Sequence, residues 1–293
     1  MKLLSFHADD GVRLGVRTDA GVVDVSRAAE AAGVSAPSSV HEVIAGGATV
    51  LDRLESLVGE HGTGPVAESD IRFAPAVPDP GKIICVGANF RRHAQEANIP
   101  IPDAPIYFPK YDNSLSGHRD EVALPSVTQR ADYEVELVAV IGTETRNVDT
   151  SQALSRVFGY ATGNDLSARE LQQRSSQWMY GKAIDGFAPL GPYVVTSDEV
   201  PDPQALDLQC SVNGEVRQNS NTRDMIFTVA ELVADLSRIM TLQPGDLIYT
   251  GTPEGVALGM PEPKWLQMGD EVACEVQGLG RLVTYLVADK NSD

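Results

Sequence analysis

Residues 133–142 read Tyr133-Glu134-Val135-Glu136-Leu137-Val138-Ala139-Val140-Ile141-Gly142. A run this apolar and β-branched, closed by a glycine, reads as a strand. The chain around it is strand-rich from Lys82 onward. Residues 83–87 form a short apolar strand and residues 160–165 an extended run. Residues 206–217 read as a hairpin turning at Asn213-Gly214, a type I′ signal. Pro244-Gly245-Asp246 turns the chain into a strand over 247–250. Met268-Gly269-Asp270 and Gly278-Leu279-Gly280 flank the last two strands. Helices are predicted over 91–97, 152–158 and 168–178. Another opens on the capping box Thr228-Val229-Ala230-Glu231 and runs to about Met240. Few of these strands are separated by a crossover helix, which argues against a doubly wound sheet. The expectation is a mixed α+β domain built around a β-roll or sandwich.

Ahead of it, residues 1 to about 70 read as a small α/β module. Strand-like segments flank Asp19-Ala20-Gly21. Helices follow over 38–58, with Val43, Ile44, Val50, Leu51, Leu54 and Leu57 at helical spacing. Pro75 and Pro78-Asp79-Pro80-Gly81 mark the boundary. The predicted division is 1–74 for the small domain and 75–293 for the catalytic domain.

Glu134 and Glu136 lie two apart on the strand, so their side chains share one face, with Val135, Leu137 and Ala139 on the other. Taken alone, such a pair reads better as acidic decoration of a solvated face. If buried, the two like charges need a cation, and a hard divalent ion is the natural one. Asp165 follows an extended run and precedes a helix, so alone it reads better as an N-cap-type residue. The three together make an all-oxygen site suited to Mg²⁺ or Mn²⁺, with positions left for water and substrate.

His93 and Glu96 stand at i, i+3, on one helix face. A carboxylate beside an imidazole suits a general base, although an isolated pair of this kind is more often ordinary surface. The tail Asn98-Ile99-Pro100-Ile101-Pro102 has the composition of a mobile lid.

Composition narrows the classes. A formal net charge of −18 repels phosphate backbones and anionic membranes, so neither nucleic acid nor membrane is an expected partner. The plain meaning of that charge is solubility or an acid-rich proteome. Cys85, Cys210 and Cys274 are far apart, form no CxxC pair, and fit a reducing cytoplasm. The start of the sequence has too short an apolar run for a signal peptide, and no stretch approaches a membrane span. HExxH, GxSxG and P-loop motifs are absent. With five histidines, at 7, 41, 61, 93 and 118, a histidine-rich zinc site is not expected.

Several stretches taken in order resemble the fumarylacetoacetate hydrolase family. They are Cys85 to Phe90 with His93-Ala94-Gln95-Glu96, then Asp132 to Leu137, then Asn164-Asp165-Leu166-Ser167-Ala168-Arg169. Gly181-Lys182, Ala188-Pro189-Leu190-Gly191-Pro192 and Asp224-Met225-Ile226-Phe227 continue the series. It ends on Pro244-Gly245-Asp246 running into Thr250-Gly251-Thr252-Pro253-Glu254-Gly255-Val256. The likeness spans about residues 82–288, and the N-terminal module is similar to a short domain of many bacterial members. It implies a β-roll-like catalytic fold, a homodimer in the cytoplasm, and one Mg²⁺ or Mn²⁺ per chain. By resemblance Glu134, Glu136 and Asp165 are metal ligands. His93 and Glu96 are the lid dyad that activates water, and Lys182 stands beside metal and substrate. Arg169, Gln172, Thr252 and Lys110 would contact substrate. The implied substrate is a small 2-oxo acid. The implied reaction is hydrolysis of a C–C bond in a 2,4-dioxo acid of acylpyruvate or fumarylpyruvate type. Decarboxylation of a 2-oxo diacid and isomerisation of a 2-hydroxy-dienoate are alternatives on the same site. A degenerate binding protein is disfavoured, because every expected catalytic position is filled. The chain departs from relatives at Phe108-Pro109-Lys110-Tyr111 and at His118, positions expected near the pocket mouth.

Overall fold

The computed structural model describes residues 1–62 and 64–289. Eleven strands form the main sheet. Its path runs Gly21–Asp24, Gly11–Thr18, Lys2–Ala8, Ala188–Thr196, Val157–Asn164, Val135–Ile141, Leu247–Tyr249, Ile83–Gly87 and Ile106–Lys110. Two short strands pair off this path: Arg72–Phe73 on Lys2–Ala8, and Leu115–Ser116 on Ala188–Thr196. A second sheet of five strands runs Glu215–Asn221, Asp207–Val212, Glu271–Val276, Gly280–Ala288 and Glu121–Leu124. Most neighbours are antiparallel, and no helix-by-helix crossover organises either sheet. The fold is mixed α+β.

The strand over Val135–Ile141 sits in the middle of the main sheet and is buried on both faces. Val135, Leu137, Ala139 and Ile141 pack into one apolar cluster with the five-stranded sheet. Val138 and Val140 pack into another, with Leu3, Leu14, Ile44 and Leu54 of the N-terminal segment. The period-2 alternation of the sequence thus sorts one strand between two cores.

The N-terminal strands add to the same sheet. Lys2 and Leu3 pair with Val195 and Val194, and the two helices cover the face below. The first, Val25–Ala32, is capped by Asp24, whose Oδ1 accepts from the backbone N–H groups of Ser26 and Arg27. The second, Val40–His61, starts on Ser39 and kinks at Gly47. The capping box at Thr228 forms and opens Val229–Ile239.

Two predicted helices differ. The expected helix over 152–158 is only a short turn, Thr150–Ala153 followed by a 3₁₀ turn, because Val157 and Phe158 are taken into the sheet. The expected helix over 168–178 breaks into Arg169–Gln172 and Met179–Lys182. The second piece folds back onto the first at Gly181. A Cβ there would lie 2.4 Å from both the Ala168 carbonyl oxygen and the Gln172 nitrogen. That return brings Lys182 to the end of the central strands.

Candidate active site

Glu134 immediately precedes the strand Val135–Ile141, Glu136 is its second residue, and Asp165 follows the neighbouring strand Val157–Asn164. The pairing of Val135 with Asn164 and Glu136 with Gly163 sets these ends side by side. Two further bonds fix them. The Asp165 N–H donates to the Glu134 carbonyl at 2.9 Å, and the Glu134 N–H donates to Asn164 Oδ1 at 3.0 Å. One carboxylate oxygen from each of the three acids lies within 4.8 Å of the others. Exposure is 5% for Glu134, 1% for Glu136 and 0% for Asp165, which rules out a solvated acidic face.

Cations offset this buried charge. Lys182 Nζ stands 2.6 Å from both Glu134 Oε2 and Asp165 Oδ2. Arg169 Nη2 donates to Glu134 Oε1 at 2.6 Å, and Lys110 Nζ lies 2.7 Å from Asp165 Oδ1. Glu136 accepts a single backbone bond, from Gly251 N–H at 2.8 Å. The electrostatics follow this distribution. Burial raises Glu134, but Arg169, Lys182 and His93 outweigh it and hold the carboxyl well below the usual range. Burial, Asp165 and Glu134 push Glu136 well up. Burial lowers Lys182, yet Asp165 and Glu134 more than compensate, so its ammonium is stabilised.

The residues fit a divalent ion. The donor set is all oxygen and preformed. Asp165 Oδ1 is buried without a hydrogen-bond donor, since Lys110 approaches it outside hydrogen-bonding geometry. Glu136 carries charge at a cost that a cation would remove.

His93 and Glu96 belong to the short helix Arg91–Glu96, and His93, but not Glu96, lines another wall of the same cleft. Nδ1 of His93 lies 3.5 Å from Glu96 Oε2 and makes no hydrogen bond. Glu96 is anchored instead by Gly255 N–H, at 3.0 and 3.2 Å from its two oxygens.

The other expected contacts separate. Arg169, Gln172 and Thr252 line the cleft. Arg169 is engaged along its whole fork, by Asp132 at 2.8 Å, Gln172 at 3.0 Å and Glu134. Thr252 Oγ1 donates to the Val135 carbonyl at 3.0 Å and accepts from Gln218 Nε2 at 2.9 Å. Lys110 does not line the cleft, contrary to expectation. It is buried behind Asp165, with Nζ donating to the Leu166 carbonyl at 3.0 Å and to the Phe187 carbonyl. His118 is also away from the cleft. Its Nδ1 accepts from Val283 N–H at 3.1 Å, and its ring meets Phe73 edge-on.

Asp132 is the residue that sequence reasoning missed. It is fully buried, takes Arg169 on Oδ2, and accepts backbone N–H groups of Ala257 at 2.8 Å and Leu258 at 3.0 Å. It ties the arginine to the loop that closes the cleft. Its only sequence signal was its place at the head of the acidic stretch.

The sequence model of the fumarylacetoacetate (FAA) hydrolase C-terminal family matches residues 82–287. The chain belongs to the fumarylacetoacetate hydrolase family. It is 47% identical over 216 residues to a fumarylacetoacetate hydrolase domain-containing protein 2 homolog of Dictyostelium discoideum, covering 70% of this chain and 71% of that protein. Among solved structures, the fumarylacetoacetate hydrolase of Exiguobacterium antarcticum is 35% identical, with a TM-score of 0.84 over 99% of this chain and 100% of the other. Maleylpyruvate hydrolase of Sphingobium sp. SYK-6, solved with manganese(II) and pyruvate, is 31% identical, with a TM-score of 0.82 and the same coverage. A 5-carboxymethyl-2-hydroxymuconate delta-isomerase of Mycobacterium smegmatis is 30% identical, with a TM-score of 0.76 and again the same coverage. Fumarylacetoacetate hydrolase relatives thus include hydrolases and isomerases. No helix among the described residues is long and apolar enough to cross a membrane.

Proposed function

We propose that the protein is a divalent-metal-dependent hydrolase that cleaves a C–C bond in a 2,4-dioxo acid, releasing pyruvate or a related 2-oxo acid and a carboxylic acid. One observation carries the reading: three buried carboxylates and His93 line a common cleft, with Glu96 3.5 Å from the His93 Nδ1. The manganese and pyruvate held by the Sphingobium relative supply the ion and product classes.

Glu134, Glu136 and Asp165 would hold one Mg²⁺ or Mn²⁺. Bound there, the ion supplies Lewis-acid polarisation of the substrate's 2-oxo acid head. The chain's own residues do the rest. His93, with the Glu96 carboxylate 3.5 Å from its Nδ1, takes a proton from water, and the hydroxide attacks the C4 carbonyl. The C3–C4 bond breaks, its electron pair passes into the enolate of the 2-oxo acid, and the C4 fragment leaves as a carboxylic acid. Lys182, held cationic by its two carboxylates, lies where it can stabilise the enolate oxygen. Protonation at C3 completes pyruvate. Arg169, Gln172 and Thr252 are proposed to position the substrate, in a small domain plus catalytic domain divided near residue 75 and working as a cytoplasmic homodimer.

A second reading is isomerisation of a 2-hydroxy-dienoate, which needs proton shuttling and no attacking water. The likeness to the mycobacterial isomerase favours it. The test is NMR product analysis of the Mg²⁺-loaded protein with acetylpyruvate, fumarylpyruvate and oxaloacetate, beside a Glu134→Ala/Glu136→Ala control. Pyruvate with the matching acid supports the hydrolase. Pyruvate and CO₂ from oxaloacetate alone would replace it with a decarboxylase. No turnover of any of the three would leave the isomerase reading.

A further inference from the structure

The cleft has a charged end and an aromatic end. Phe108 joins them: Lys182 Nζ lies 5.0 Å from its ring centroid, and Trp178 meets it edge-on at 5.4 Å between centroids. Trp178 is half-buried and packs directly on the backbone of Gly87, where a Cβ would come within 2.3 Å of the indole Cζ3. The glycine therefore makes room for the indole, and the two aromatic rings form a wall leading away from the carboxylates. Val86, Ile99 and Leu258 extend it with aliphatic carbon.

Among the described residues no lysine or arginine lines that end. Apart from His93, the positively charged side chains lining the cleft are Lys182 and Arg169, and both are held at 2.6 Å by Glu134. Gln172, which accepts from Arg169, and Gln173 also line the cleft, but their amide groups bring no charge. A second carboxylate on the substrate would be desolvated against aromatic and aliphatic carbon without a counter-charge. The chain's net charge of −18 repels it further. An alkyl or aryl group gains by being buried on the same wall.

We propose that Trp178, backed by Phe108, is a specificity-determining wall that selects 2-oxo acid substrates whose distal end is uncharged and apolar, and disfavours dioxo diacids. This rests on the 2-oxo acid reading of the site and narrows its substrate class to acylpyruvates with a neutral acyl group.

The probe pair is 2-oxohexanoate and 2-oxoadipate, six-carbon 2-oxo acids ending in methyl and carboxylate, titrated calorimetrically into the Mg²⁺-loaded full chain. The expected result is at least about tenfold tighter binding of 2-oxohexanoate. Trp178→Ala brings the ratio to within about threefold, and Trp178→Arg reverses it. Ile99→Arg, at an exposed position on the same wall, also lowers the ratio and covers the case in which the tryptophan variants fold poorly. Equal binding of the two acids, tighter binding of 2-oxoadipate, or no binding of either would overturn the wall. A parallel comparison of kcat/KM on acetylpyruvate and fumarylpyruvate separates the two claims. A methyl preference in binding with neither substrate cleaved removes the hydrolase and supports the wall. Cleavage of both at equal kcat/KM supports the hydrolase and removes the wall.

Discussion

The two walls of the cleft are built differently. The carboxylate wall stands on the ends of two paired strands in the middle of the main sheet, and every acid on it is buried and held by a side chain of opposite charge or by a backbone N–H. The dyad wall stands on a six-residue helix, Arg91–Glu96, whose N-cap residue Phe90 has no side-chain acceptor, whose Arg92 N–H donates to Asp224 Oδ2 at 3.0 Å, and whose His93 Nδ1 has no hydrogen bond. Electrostatic stabilisation needs fixed dipoles and charges that do not reorganise during reaction. Proton transfer needs a base that can close on its proton, and such hydrogen bonds are often long until substrate arrives. On the proposed mechanism the electrostatic half stands on the sheet and the base on the short helix.

The largest effect expected is on the rigid wall. Glu134→Ala/Glu136→Ala removes two of the three oxygens meant for the ion. Mn²⁺ affinity, read by equilibrium dialysis, should fall by more than the roughly 10–100-fold typical of losing a mere supporting partner. Turnover should fall below detection. Retained Mn²⁺ affinity would move the metal elsewhere and dissolve the contrast between the walls.

The next effect isolates the other wall. His93→Ala should lower kcat by about 10²–10⁴, the usual contribution of a general base, while Mn²⁺ affinity stays at the wild-type value. A matching loss of metal affinity would show that the walls are not separable. An unchanged kcat would take water activation away from His93.

Asp132 spans the two, since it grips Arg169 beside Glu134 and also the backbone of Ala257 and Leu258. Asp132→Asn keeps the shape and one acceptor but breaks a buried ion pair, which costs about 3–5 kcal/mol. Urea unfolding should show a lower midpoint with an unchanged m-value. A midpoint within error of wild type would mean that Glu134 alone satisfies Arg169.

The same contrast governs what could be read from the sequence. The carboxylate wall was legible because strand periodicity is local: residues i and i+2 share a face wherever the strand goes, and Asp165 closes its own strand. The dyad was legible by its helical spacing, but not its geometry, since 3.5 Å rather than a hydrogen bond depends on how Gly255 holds Glu96. Lys182 was legible only through family likeness, because a fold-back at Gly181 delivers it. Lys110 shares a strand face with the cleft-lining Phe108 but stands two residues further along, where its Nζ meets Asp165 outside the cleft, and family likeness alone does not show that offset. The pairing of Lys2 and Leu3 with Val195 and Val194 joins residues nearly two hundred positions apart, and no local pattern encodes that register.

The smallest effect concerns a histidine placed opposite to His93. His93 faces a carboxylate, whereas His118 is buried beside Phe73, with its Nδ1 already accepting from Val283. Burial and the Arg119 charge bring His118 down from 6.5 to about 4, with Arg281 adding to them and Glu68 opposing. Between those two values the unfolded chain carries a proton that the folded chain refuses. Stability therefore rises with pH across that window, and falls as pH drops from 6.5 toward 4. The full window, 6.5 minus about 4 at 1.36 kcal/mol per unit, amounts to about 3 kcal/mol. About 2 kcal/mol of it is lost by pH 5. His118→Gln keeps an acceptor for Val283 and does not titrate. Urea melts at pH 7 and pH 5 should show wild type losing about 2 kcal/mol more than the variant, with Mn²⁺ affinity equal in both proteins. Equal losses would mean that His118 takes up its proton while still folded, by opening toward solvent. His118 would then be as adjustable as the dyad wall, and burial alone would no longer distinguish the rigid parts of this molecule from the mobile ones.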